Sequence, residues 1–138
     1  MTQRDVGLIL MRQLATGLAM PVWLSDERGE LLFFNEPAEK LLGQRFDDVG
    51  SISLDEARHI LSFRDMDGND LPLDQTPLLV ALRDQRPVHR LLRISALDGR
   101  DHEIEVTAFP LLSGGGHLIG GVALFWLRKK ASNKESLL

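Results

Sequence analysis

Residues 21–43 read PVWLSDERGELLFFNEPAEKLLG, and their punctuation fixes the local order of elements. Val22, Trp23 and Leu24 combine β-branched, aromatic and aliphatic side chains, which suit a pleated surface. Asp26 through Gly29 form a turn cluster, since Asp can bond its own backbone and Gly29 tolerates a positive φ. Residues 31–34, LLFF, have the length of a short buried strand. Asn35 is then a suitable N-cap, with Pro37 in the first turn of a helix. Leu41 and Leu42 turn inward, and Gly43 ends the helix as a left-handed residue. The reading is strand, tight turn, strand, capped helix.

The remaining chain can be read outward from this unit. Downstream, residues 44–70 carry little pattern. Ser53 and Glu56 are spaced as a capping box, which predicts a short helix over 54–63. RDMDGND at 64–70 breaks it and brings an EF-hand loop to mind, but Gly68 falls at loop position four and Thr76 occupies position twelve. A polar turn is the better account. In residues 71–87, Thr76 reads as a cap, Pro77 as the first helical residue, and Leu78, Leu79 and Leu82 as the buried side. Pro87 should end that helix.

Residues 88–95 and 102–109 are strand patterns separated by ALDGRD, whose Asp98-Gly99 pair predicts a type I′ hairpin turn. The second strand alternates: Ile104, Val106 and Ala108 on one face, Glu103, Glu105 and Thr107 on the other. Pro110 is expected to stop it. After the SGGG turn at 113–116, a last strand runs over 117–127. Upstream, residues 1–20 form an amphipathic helix with an apolar stripe at Val6, Ile9, Leu10, Leu14 and Leu18.

Two separate stretches, in order, carry a family resemblance. The strand pair passing to a helix through Asn35-Glu36-Pro37-Ala38 resembles the opening of a PAS domain. DGNDLPLDQTPLLVALRDQRPV at 67–88 resembles the bacterial PAS run that forms the helix before the main hairpin. The resemblance covers 21–127 and implies an α+β fold: a five-stranded antiparallel sheet with helices on one face. The helix at 1–20 flanks this domain, and the polar tail RKKASNKESLL at 128–138 should fray. Many PAS domains close their last strand with Asp-x-Thr before a signalling helix; Leu127-Arg128-Lys129 stands here instead. The sequence fits either a stand-alone module or a piece of a longer chain.

Composition sets limits. With 138 residues, there is room for one domain. A chain of this size buries roughly two-thirds of its unfolded surface, so a core forms without staples. The absence of cysteine removes disulfides, thiol chemistry and Cys-ligated zinc. A net charge of −4 gives no basic footprint for nucleic acid. No apolar run reaches the roughly 18 residues of a membrane span, and the start has no signal-peptide pattern. A cytoplasmic protein is the expectation.

Catalytic and metal chemistry find no set of residues. His59, His89, His102 and His117 make no HExxH. Carboxylates are many, but none falls inside an apolar run. Haem is disfavoured because the helix at 76–86, where the resemblance places the axial ligand, has no histidine. The light-sensing flavin chemistry of the family needs a cysteine, and a redox FAD has only Trp23 and Trp126 to point to it. The expectation is therefore no cofactor and no enzyme activity.

The resemblance also implies a pocket between helices and sheet. Alternation assigns its face: Trp23 and Ser25, Leu92 and Ile94, Ile104, Val106 and Ala108, then Ala123 and Phe125. An apolar lining suits a small hydrophobic ligand and disfavours a charged one. The opposite face of the last strand carries Val122, Leu124 and Trp126, which the stripe of the first helix should cover, within one chain or across a homodimer. The functional expectation is a dimerising sensor module of a bacterial signalling system that acts on a partner or effector. The alternative is a ligand-free interaction module with a filled core.

Overall fold

A computed structural model describes residues 3–57, 61–96 and 99–128. Helix α1 spans Gln3–Gly17, followed by strands β1 (Val22–Asp26) and β2 (Leu31–Phe34). Three short helices follow, α2 (Glu36–Leu42), α3 (Phe46–Val49) and α4 (Leu54–Ala57). Strand β3 (Leu61–Arg64) precedes helix α5 (Pro77–Asp84). Strands β4 (Val88–Ala96), β5 (Asp101–Leu112) and β6 (Leu118–Leu127) complete the fold. All strand pairs are antiparallel, in the order β2-β1-β6-β5-β4-β3.

Residues 21–43 fold as read. Asp26 Oδ1 accepts from the N–H groups of Arg28 and Glu30 and so closes the β1–β2 turn. The Asn35 side chain accepts from Ala38 N–H at the start of α2, and Gly43 (φ 73°) returns its N–H to Glu39 O. Asn35 does more than cap. It also accepts from Val22 N–H and donates to Ala15 O and Met20 O, each bond between 2.9 and 3.0 Å. One buried amide thus ties α1, β1 and α2 together, with all its hydrogen-bonding groups engaged.

Six strands form the sheet where five were expected. The additional one, β3, occupies part of the predicted helix over 54–63; that prediction holds only for its start. There the Ser53–Glu56 box is made, with Ser53 Oγ accepting from Glu56 N–H and Glu56 Oε1 accepting from Ser53 N–H. Tertiary pairing with β4, which sets Phe63 opposite Ile94, overrides the local helical pattern beyond it. RDMDGND is a polar turn: Asp65 Oδ1 accepts from Asp67 and Asn69 N–H.

Three smaller expectations change. Thr76 makes no side-chain cap for α5; its hydroxyl donates to Leu73 O and closes the preceding turn. That helix ends at Asp84, before Pro87, with Gln85 left-handed at φ 51°. Pro110 does not stop β5. The β4 ladder reaches only Ala108, so no strand faces Pro110 on that side and its missing N–H breaks no bond there. At the hairpin, Gly99 has φ 84°, while Asp98 lies outside the described residues, as do His59 and the tail from 129.

The sheet separates two apolar clusters. The larger lies between its inner face and α2, α4 and α5, and includes Trp23, Phe34, Leu42, Leu82, Leu92, Ile104 and Phe125. The smaller lies on the outer face under α1, around Ala15, Val22, Leu24 and Val122. Helix α1 does cover Val122, but with a different side from the one expected. Leu8, Met11 and Ala15 pack inward, joined by Leu18 of the expected stripe just past the helix end, whereas Val6, Ile9, Leu10 and Leu14 face solvent, Leu10 at 58% and Leu14 at 55% exposure. At 100° per residue those two groups fall on different sides of the helix. The side bearing the smallest residues wins because it comes closest: Ala15 is 1% exposed, and a Cβ on Gly7 would stand 2.7 Å from Ile119 Cδ1. Arg12 adds a cation–π contact, 4.6 Å above the Phe33 ring. Leu124 is half-buried in this cluster. Trp126 lies outside it, half-buried beside His89 at 6.1 Å between ring centres.

Candidate functional site

The inner face of the sheet holds a cavity of about 60 Å³. Strand alternation and register create it: Trp23 pairs with Ala123, Val106 with Phe125, and Leu92 with Ile104, so inward residues of neighbouring strands adjoin. Seven of the nine residues expected there form its wall: Trp23, Leu92, Ile94, Ile104, Val106, Ala123 and Phe125.

Ser25 and Ala108 do not. Both are buried and inward, but Ser25 donates its hydroxyl to Asp26 O at 2.9 Å and lies against Gly121, away from the cavity. Ala108 packs within the larger cluster without reaching the cavity wall. The helical half of the wall comes from Leu42 on α2 and Thr76, Pro77 and Leu78 at the start of α5, with Phe63 from β3. Leu78 and Leu42 are legible as buried helical positions. Phe63 is not, because its strand character depends on β4.

The wall is apolar in chemistry. Thr76 carries the one hydroxyl among its described residues, and that hydroxyl's proton is spent on Leu73 O. Trp23 stacks on Phe34 with ring centres 5.7 Å apart and planes 17° apart, while Phe46 meets Phe34 edge-on. Among the described residues, no charged one lines the cavity. The described residues contain no group of three or more His, Cys, Asp or Glu placed to hold a metal ion. The volume also bears on large cofactors. Ligand pockets run to about 300–1,000 Å³, so neither haem nor an isoalloxazine ring fits this cavity without extensive rearrangement.

The wall contributed by β3 is held at the sheet edge by a polar clamp. Arg64 donates to Ser95 Oγ at 2.7 Å and pairs with Asp101 at 3.4 Å, and the Ser95 hydroxyl donates to Asp101 at 2.5 Å. The Ser95 hydrogen bond, with the Arg64 charge behind it, holds the Asp101 carboxyl below the ordinary carboxylate range, against a smaller opposing effect of desolvation. A depressed folded-state value means that the clamp stabilises above the ordinary Asp range and is lost as pH falls through the lowered value. Amide exchange should therefore show β3 losing protection in that acid window before β5 and β6 do. Asp101→Asn should flatten this difference.

The comparisons agree with this geometry. The family model described as PAS fold matches residues 10–127. The chain matches no curated protein. Among solved structures, it is similar to the PAS domain of BvgS from Bordetella pertussis, at 18% identity and TM-score 0.64, covering 94% of this chain and 92% of that one. It is similar to the PAS domain of nitrogen regulation protein NR(II) from Vibrio parahaemolyticus, at 17% identity and TM-score 0.59, covering 86% and 98%. A LOV protein from Rhodobacter sphaeroides matches at 11% identity and TM-score 0.69, covering 99% and 74%. No described helix is long and apolar enough to cross a membrane.

Proposed function

Because the chain belongs to the PAS fold family, a family of signal-sensing modules, we propose that it senses a small uncharged apolar molecule in the inner-face cavity and passes the change to a partner. The observation that supports this reading is an apolar cavity inside an otherwise close-packed core. Native interiors leave few voids larger than a water molecule. An apolar wall without charge favours a ligand that buries hydrocarbon and rejects one that would bury an unpaired charge. At about 60 Å³ the cavity admits only a very small molecule as it stands. A larger one would have to displace Phe63 on β3, the edge strand of the sheet, whose outer side is tied only to the adjoining turn through Leu71 N–H to Phe63 O and the Arg64–Asp70 bridge. The proposed role is sensory, in keeping with a wall whose described residues carry no carboxylate, histidine, lysine or arginine.

Native mass spectrometry of the purified protein tests the reading, and a visible absorbance scan tests for a coloured group. Ala123→Leu should fill the cavity at less than the about 1–3 kcal/mol that overpacking a closed core costs, and should abolish retention of any small molecule bound to the parent. A cost of several kcal/mol, with nothing bound to the parent, would leave only the second reading.

That second reading is an interaction module with a filled core. The small cavity favours it, and so does the outer stripe of α1. Val6, Ile9, Leu10 and Leu14 form an exposed apolar row that the chain's own sheet does not use. A homodimer formed through this row is compatible with either reading. Leu10→Asp with Leu14→Asp should convert such a dimer to a folded monomer in light scattering, since neither side chain supports the chain's own core. A parent that remains monomeric into the high micromolar range excludes the dimer.

A further inference from the structure

We propose that an open cleft beside α2 binds a small amphipathic monocarboxylate, its apolar body against Pro37, Leu41 and Leu127 and its anionic end toward Lys40 and Arg100. The cleft shares no lining residue with the inner-face cavity, so the proposal stands apart from the sensory reading. It measures about 440 Å³, several times the inner cavity and within the about 300–1,000 Å³ of small-molecule sites. Separate segments build it: Pro21 leads into β1, Lys40 and Leu41 belong to α2, Arg100 immediately precedes β5, and Leu127 ends β6. Arg100 Nη2 donates to Lys40 O at 3.3 Å, which closes the β4–β5 hairpin onto α2 and brings the guanidinium beside the lysine. That carbonyl lies in the last turn of α2, where intrahelical partners run out.

The wall sorts into two chemistries. On the apolar side, Leu127 is 53% exposed although it ends a central strand, so the cleft leaves a large side chain open to contact. On the polar side stand Lys40, Arg100 and His102, and no Asp or Glu lines the cleft among the described residues. The carboxylates of β5 that adjoin it are engaged: Asp101 with Arg64 and Ser95, Glu103 with Arg93 and Arg128. A wall with bases and no acid, on a chain of net charge −4, selects an anion. Lys40 pairs only loosely with Glu36, at 3.6 Å between side chains 77% and 75% exposed. Such a pair contributes little, so the ammonium can turn to a bound carboxylate. The two oxygens of that carboxylate match the planar guanidinium fork. A second charge on the ligand would lie against the apolar side without a partner.

The test titrates 3-phenylpropionate, its neutral isostere 3-phenylpropanamide and plain propionate into the full chain, followed by ¹H–¹⁵N NMR. The expected result is that 3-phenylpropionate shifts the backbone signals of Lys40, Leu41, Arg100 and Leu127. Those of Leu92 and Ile104, which line the inner cavity, should stay in place. The acid should bind about three- to tenfold more tightly than the amide, the combined value of two exposed ion pairs. That preference should vanish in about 1 M salt, where charges are screened within about 3 Å. Propionate, without the ring, should bind about tenfold more weakly than 3-phenylpropionate. Lys40→Gln with Arg100→Gln should bind acid and amide equally. Equal binding of acid and amide to the parent overturns the proposal, as does propionate binding as tightly as 3-phenylpropionate, which marks a bare surface ion pair. Shifts confined to the inner-cavity signals overturn it in favour of the other site. No saturable shift at millimolar concentrations overturns it and leaves the sensory reading untouched.

Discussion

Asn35→Ala should lower the stability of the domain by about 3–5 kcal/mol, the sum expected when one buried amide leaves several backbone groups unpaired. The parent side chain is 1% exposed and makes four hydrogen bonds: it accepts from Val22 and Ala38 N–H and donates to Ala15 and Met20 C=O. An ordinary N-cap contributes about 1 kcal/mol because solvent replaces the lost bond. Here solvent is excluded, so Ala leaves the Val22 and Ala38 N–H groups and the Met20 carbonyl without this partner, while Ala15 C=O keeps its bond from Leu18 N–H. Asn35→Asp should recover only part of the loss. It keeps both acceptor bonds but sets a carboxylate against two carbonyl oxygens, and its deficit should narrow in acid, where a protonated carboxyl can donate once. Urea denaturation checks both variants, with the midpoint shifted and the slope unchanged if the native fold persists.

Gly120→Ala should cost about 3 kcal/mol, the upper range for overpacking, although it adds a single methyl group. A Cβ at Gly120 would meet the carbonyl oxygen of Ser25 at 2.4 Å and Leu8 Cδ2 at 3.0 Å. Leu8 is the end of a flexible side chain and can turn aside. Ser25 O belongs to the backbone of β1, which is paired with β6 through Ser25–Gly121 and Asp26–Gly120. Relief of the clash therefore requires separation of two central strands or displacement of α1. Gly17→Ala is the control: nothing lies within 4 Å of its added methyl, at the end of α1, and the parent's melting temperature should be kept or slightly raised. Equal melting temperatures for parent and Gly120→Ala would mean that β1 and β6 are further apart than described.

The contrast between α1 and β5 separates what the chain states openly from what it does not. Along β5 the residues Ile104, Val106 and Ala108 are apolar and their neighbours polar, and a period of two leaves only one way to place them against a core. On β1 and β6, which are apolar on both faces, the period of two still separates the two sets of side chains but does not by itself say which set is inner. The turn and cap residues, Asp26, Asn35 and Gly43, act within a few positions of themselves, so their roles needed no knowledge of the fold. Most of the sheet half of the cavity wall followed, Ser25, Ala108 and Phe63 excepted, along with the α+β class and the family.

The helix offered no such unique answer. Residues 6–18 are apolar on more than one side, and periodicity alone does not rank a row of large side chains above a row containing Ala15 next to Gly7. Close approach to Ile119 and Gly120 decided it, because dispersion and burial depend on how near the surfaces come. The strand at 61–64 was likewise decided by β4, and the cavity's size by the packing of α2, α5 and Phe63 over it. The fourth bond of Asn35, to a carbonyl twenty residues earlier, has no trace in any local pattern. The sequence by itself determined which residues share a face of each strand and where the chain turns, since both are set by backbone period and local hydrogen bonding. Only the tertiary structure decided which surfaces meet and how much space remains between them, since those depend on contacts between residues far apart in the chain.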